Sequence, residues 1–182
     1  DKVHLGGNSM GGYLATLFAA RHPERVMSLW LLAPAGAFEG EASETFELVQ
    51  GGVNPLIVED AAGLARLTAL CFCKPPWFPA QLQRAFLDRA RAEAPFNRKI
   101  FDELFAEPVP LSAQVERVPV RTLLVWGDSD RILHPGGQAE LRPLFADVEC
   151  ILMRAMGHAP MLERPAETAL DYLRFHHRLP AG

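Results

Sequence analysis

Three cysteines and no run of basic residues set the first limits on this chain of 182 residues. Cys71, Cys73 and Cys150 are too few and too unevenly placed for a disulfide framework. Cys71 and Cys73 form a C-x-C, but no His or Cys partner lies at metal-binding spacing, so buried thiols and no metal site are expected. Unpaired cysteines fit a reducing compartment, and a cytoplasmic location is the expectation. The net charge is −4, with Lys and Arg scattered. That argues against a nucleic-acid partner, whose phosphates ask for a basic face. No apolar run reaches the length of a membrane span. The longest candidate, 26–33, is strand-length and stops at Pro34. From Asp1 the chain enters a strand directly, with no signal peptide in view. Strands are lacking too from about Gly36 to Val118.

What is present outside that gap alternates strand with helix. Residues 2–5 read as a short strand, and 10–22 as a helix with Gly12, Ala15 and Ala19 on one face, able to pack close to a sheet. Pro23 stops it. The near-continuous apolar run 26–32 suits a strand covered on both faces. Residues 121–126 and 148–153 read as two more strands, with a helix over 136–145 between them and a closing helix over 165–178. This alternation predicts an α/β fold with a mostly parallel sheet.

The long middle holds helical patches at 43–49, 60–70, 80–93 and 98–105, separated by Pro55, Pro75, Pro76, Pro79 and Pro95. It carries eight of the eleven phenylalanines and Trp77. A segment this long between neighbouring parallel strands reads as an inserted helical cap. The expected units are therefore a core segment 1–35, a cap 36–118 and a second core segment 119–182. Some of the cap's aromatic side chains, Trp77 among them, are expected to line an apolar pocket.

Gly7-Asn8-Ser9-Met10-Gly11-Gly12 carries the chemistry. It reads G-x-S-x-G between a strand and a helix. A serine on so sharp a turn is presented at the tip of the sheet, and Gly7 and Gly11 allow close backbone approach. The helix that follows aims unpaired N–H groups beside the hydroxyl. Ser9 is thus a candidate nucleophile. A serine hydroxyl needs a base, and the base needs a partner that fixes its tautomer. Downstream, Asp128 and Asp130 follow one strand and His158 follows the next. The order Ser, Asp, His at C-terminal strand ends marks one site. His134 is the rival base, but it shares a loop with the acids. Between Asp128 and Asp130 the residues alone leave the acid open, since Asp128 after Gly127 could cap the turn.

These three positions resemble the α/β-hydrolase superfamily over the whole chain, in the form of a partial α/β-hydrolase fold. W-G-D-S-D-R-I-L resembles the family's acid loop, whose second acidic position is catalytic, which implies Asp130. G-H-A-P-M-L-E-R-P-A-E resembles its histidine loop. L-W-L-L-A-P-A-G and R-K-I-F-D-E-L-F resemble monoacylglycerol lipases and related bacterial lipases and esterases. The resemblance implies a serine hydrolase of carboxylic esters with apolar acyl groups. Ser9, Asp130 and His158 would form its triad and the Met10 N–H one oxyanion donor, with no cofactor and no metal.

A complete family member has further strands before the nucleophile strand, and a loop there supplies the second oxyanion donor. The chain thus resembles the C-terminal portion of an enzyme. It is expected to be impaired alone, and residues 2–5 are expected to form a bare sheet edge. That edge could pair with a second copy or with a separate N-terminal piece. Two alternatives stand beside the esterase reading. One is a hydrolase of carbon–carbon bonds in ring-cleavage products, whose relatives share G-N-S-M-G-G. The other is a non-catalytic fragment of a hydrolase fold.

Overall fold

The structure, a computed structural model, describes residues 1–106 and 108–178. The expected second core segment therefore extends past the described residues after Arg178, and Glu107 of the expected cap also lies outside them. At the centre is a four-stranded sheet, parallel throughout. Its order follows the chain: β1 (Val3–Ser9), β2 (Val26–Pro34), β3 (Thr122–Gly127) and β4 (Val148–Met153). Among the described residues β1 is one edge and β4 the other. The α/β class with a parallel sheet is as expected, and so are four strands at the four expected places.

The pleat explains why the central strands read as unbroken apolar runs. Leu124 and Trp126 of β3 join a core with Leu29, Leu31 and Ala15 on one face. Leu123 and Val125 point to the other face, against Met153, Met156 and Phe175. Helix α1 (Met10–Arg21) buries Gly12, Ala15, Thr16 and Ala19, the small stripe expected of it. Pro23 opens a 3-10 turn directly after the helix ends.

Among the described residues four helices lie between β2 and β3: α2 (Glu44–Gln50), α3 (Ala61–Cys71), α4 (Ala80–Ala106) and α5 (Leu111–Gln114). Ser43 caps α2 by accepting from the Phe46 N–H at 3.1 Å, and Asp60 caps α3 from the Gly63 N–H at 2.7 Å. The expected break at Pro95 does not occur. Helix α4 runs as 27 residues with Pro95 inside. Glu59 spans the proline from outside. Its backbone carbonyl accepts from Arg91 Nε at 2.8 Å and its carboxylate from Arg98 Nη2 at 3.0 Å, one partner on each side of Pro95.

After β3 come α6 (Gly137–Leu141), α7 (Pro160–Glu163) and α8 (Pro165–His177). The helix expected over 136–145 splits, because Pro143 converts its second half to a 3-10 turn. Helices α5 and α7 were not expected. Each is a four-residue turn, too short to show a period.

Candidate active site

Strand β1 carries its chain beyond residue 5 to Ser9, and α1 begins at Met10 with no residue between them. Ser9 takes φ 55° and ψ −124°, a backbone conformation rare for a residue with a side chain. The turn closes only because two glycines lack a Cβ. A Cβ on Gly7 would overlap the Gly11 carbonyl. A Cβ on Gly12 would stand 2.7 Å from the Pro34 Cβ. Gly11, expected to serve this purpose, has open space where its Cβ would go. Gly12, not Gly11, is the second tight position, because it faces β2. The Met10 N–H is the first of α1 and has no acceptor within its own helix.

Asp130 is 4% exposed. One carboxylate oxygen accepts from the N–H groups of Ile132 (2.8 Å) and Leu133 (3.0 Å). The other lies 2.8 Å from Nδ1 of His158, itself 6% exposed. A carboxylate held by two N–H groups is an acceptor, so His158 carries its proton on Nδ1 and keeps Nε2 free. Asp128 instead accepts from the Ser129 hydroxyl at 2.8 Å, on the surface. The His134 ring faces Glu41 at 3.3 Å and accepts from the Gly136 N–H. Of the two acids left open by the residues alone, Asp130 is the one on His158.

Asn8 ties the serine to this pair. Its amide donates to the Leu32 carbonyl at 2.8 Å and to the His158 carbonyl at 3.2 Å. One side chain thereby joins the strand ending in Ser9 to the backbone of His158. Among the described residues no hydrogen bond joins the Ser9 hydroxyl to the His158 ring. Such contacts commonly close only when substrate binds. Sequence reasoning passed over Asn8 as the variable position of its motif, and no local signal marks its two acceptors.

Ser9 and Met10 open onto a cavity of about 420 Å³. Phe38, Phe46, Ile100, Phe101 and Leu104 of the inserted segment line it. Trp77 does not: it is 84% exposed, outside the cavity. It sits ahead of α4, beyond the stretch where that helix approaches Ser9. Phe86 and Phe96 are likewise exposed.

The inserted helices are fastened to the acid and histidine loops. Arg131, next to Asp130, makes a two-pronged bond to Glu44 at 2.6 and 2.7 Å and donates to the Ala69 carbonyl at 3.0 Å. The Arg131 guanidinium holds the Glu44 carboxyl below its ordinary value. Cys71, at the end of α3, is pushed up to about 12 by burial, with the Asp130 charge nearby adding to the effect. It is an inert thiol at neutral pH. Among the described residues no group of three or more His, Cys, Asp or Glu side chains could hold a metal ion. No described helix is long and apolar enough to cross a membrane.

Comparison with known proteins sets this geometry in context. The model of the alpha/beta hydrolase family matches residues 1–171. Lipase 1 of Psychrobacter immobilis is 30% identical over 182 residues, covering 100% of this chain and 57% of that protein. Monoacylglycerol lipase ABHD6 of Homo sapiens is 30% identical over 186 residues, covering 96% and 55%. Among solved structures, a bacterial membrane phospholipase A superposes with a TM-score of 0.93 at 40% identity, covering 100% of this chain and 58% of that one. The chain spans about half the length of the curated relatives it matches.

Proposed function

This chain belongs to the alpha/beta hydrolase family, and on that premise we propose that it carries the triad of a serine hydrolase acting on carboxylic esters of apolar acyl groups. In this reading residues 36–118 cap a core made of 1–35 and 119–182. The observation that carries it is the buried pair of Asp130 and His158, tied through Asn8 to the strand that ends in Ser9. Two of the similar proteins are named lipases and the third a phospholipase A, which supports ester cleavage.

In the proposed mechanism the Ser9 Oγ attacks the ester carbonyl while His158 Nε2 takes its proton. Asp130 holds Nδ1–H and stabilises the imidazolium that forms. The Met10 N–H, at the positive end of α1, donates to the oxyanion. His158 then returns the proton to the leaving alcohol, and an acyl group remains on Ser9. Water, deprotonated by His158, attacks that acyl group and frees the acid. No step requires a cofactor.

The acyl group fits the apolar cavity beside Ser9, where each buried CH₂ contributes about 0.8 kcal/mol. A fluorophosphonate should label the full-length protein once, at Ser9, and Ser9→Ala should abolish the label. Medium-chain glyceryl or nitrophenyl esters should exceed acetate esters in kcat/KM. A label elsewhere, or a flat chain-length profile, overturns the reading. Faster turnover of a dienoic diketone than of any ester would favour the carbon–carbon alternative.

A further inference from the structure

Glu163 is the last residue of α7, five positions after His158. Its carboxylate accepts from three backbone N–H groups. One oxygen takes those of Gly157 (3.1 Å) and Cys73 (3.2 Å), and the other takes that of Lys74 (2.8 Å). Gly157 directly precedes His158. Cys73 and Lys74 belong to the inserted segment, just after α3. One side chain thus bridges the histidine loop and the inserted helices. Among the described residues none of the three N–H groups has a backbone acceptor besides. Gly157 is buried, so its N–H would otherwise face the cost of an unmade bond.

The two chain segments meet at backbone contact on the same seam. The His158 N–H donates to the Cys71 carbonyl at 2.7 Å. A Cβ on Gly157 would overlap that carbonyl and stand 2.8 Å from the Phe72 Cα. The His158 backbone is therefore held on both sides: its N–H by Cys71 and its C=O by Asn8. The Glu163 carboxylate docks the chain directly after the Cys71 carbonyl.

We propose that Glu163 is a positioning residue. By clamping residues 73–74 to Gly157, it fixes the backbone of His158 and hence the aim of Nε2 at Ser9. The proposal rests on His158 being the base. A carboxylate suits the task because both oxygens only accept. A glutamine has one accepting oxygen and would turn an NH₂ group toward one of the three donors.

The test compares Glu163→Gln and Glu163→Asp in the full-length protein with Glu167→Gln. Glu167 is a control carboxylate that pairs with Arg164 at the surface. Active sites are titrated with a fluorophosphonate, so that unfolded molecules do not count. Glu163→Gln should lower kcat per titrated site by about 10²-fold, as a shift of about 1 Å in a reacting group can, with KM little changed. Glu163→Asp keeps the charge and should lose less, and Glu167→Gln should match the parent. The second readout needs no activity: the low-field proton on His158 Nδ1, bonded to Asp130, should shift or broaden in Glu163→Gln alone. If Ser9 takes no label and no ester turns over, the function reading fails, and this resonance still decides the role of Glu163. An unchanged kcat per site with an unchanged resonance, whatever happens to Tm, makes Glu163 a structural residue only and overturns the proposal. If Glu163→Gln does not fold, Glu163→Asp decides by the same two readouts.

Discussion

Strand β3 and helix α4 are the two extremes of this molecule. Every residue of β3 is buried, from Thr122 to Gly127. Helix α4 is more than four times as long, and among its described side chains only Ala94 is buried. The strand is held by apolar layers on both faces and by ladders to β2 and β4. The C-terminal end of the inserted segment packs into the core through Leu111, Val115 and Val118, while its outer helices are joined to the loops above the sheet by polar bonds such as Glu44 to Arg131 and Glu163 to Cys73 and Lys74. The sheet is fixed by packing, while the outer helices of the wall around the groups proposed to react are latched by polar bonds. A wall held by separate bonds can loosen without loss of the core, because local opening costs less than global unfolding.

This contrast breaks most sharply at the acid. Asp130 lies in the packed region and Asp128 at its surface. Asp130→Asn should lower kcat on the order of 10⁴-fold, because an asparagine amide no longer fixes the imidazole tautomer. Asp128→Asn should cost little. Steady-state hydrolysis of a nitrophenyl ester reads both, and a larger loss at Asp128 would reverse the roles.

Packing supplies a second, smaller test. Leu124→Ala removes a side chain with no exposure and should cost about 2–5 kcal/mol in urea unfolding. Phe96→Ala on α4, where the ring is 66% exposed, should stay within about 0.5 kcal/mol. Equal losses at the two sites would mean that α4 is covered in solution.

The smallest effect belongs to the latch between Glu44 and Arg131. Glu44 sits below its ordinary value of 4.5 because of Arg131, so the folded state favours the carboxylate. The stabilisation is present above about pH 4.5 and is lost as pH falls through the lowered value. Both partners are nearly half exposed, so solvent screens the pair and global unfolding should hardly register it. Limited proteolysis between α2 and α3 should register it, with cleavage accelerating in acid. Glu44→Gln should remove that acid step, and cleavage with the same pH profile in both proteins would show that the latch is not Glu44.

The difference between the two regions also governed what could be read in advance. Strands β2 and β3 announce themselves as apolar runs because both faces of the sheet are covered there. Ser9, Asp130 and His158 stand at the C-terminal ends of strands or just beyond them, where spacing along the chain carries the message. The inserted helices were legible as helices, but not their lengths or contacts. Pro95 reads locally as a break, yet α4 runs through it, with Glu59, distant in sequence, bonded on both sides. Trp77 reads as a pocket residue because aromatic content cannot say which side of a helix layer a ring will face.

The sequence by itself determined the alternation of strands and helices, the G-x-S-x-G turn and the order of serine, acids and histidine. These depend on neighbours within a few residues, or on a period of two or of 3.6, which the chain displays directly. The tertiary structure alone decided the rest. It seated on His158 the Asp130 that the acid-loop resemblance implied and the residues alone left open, made Gly12 rather than Gly11 the tight glycine, and drew Asn8 and Glu163 across to partners far along the chain. Each of these depends on which distant backbone passes within about 3 Å, a distance that no local pattern encodes.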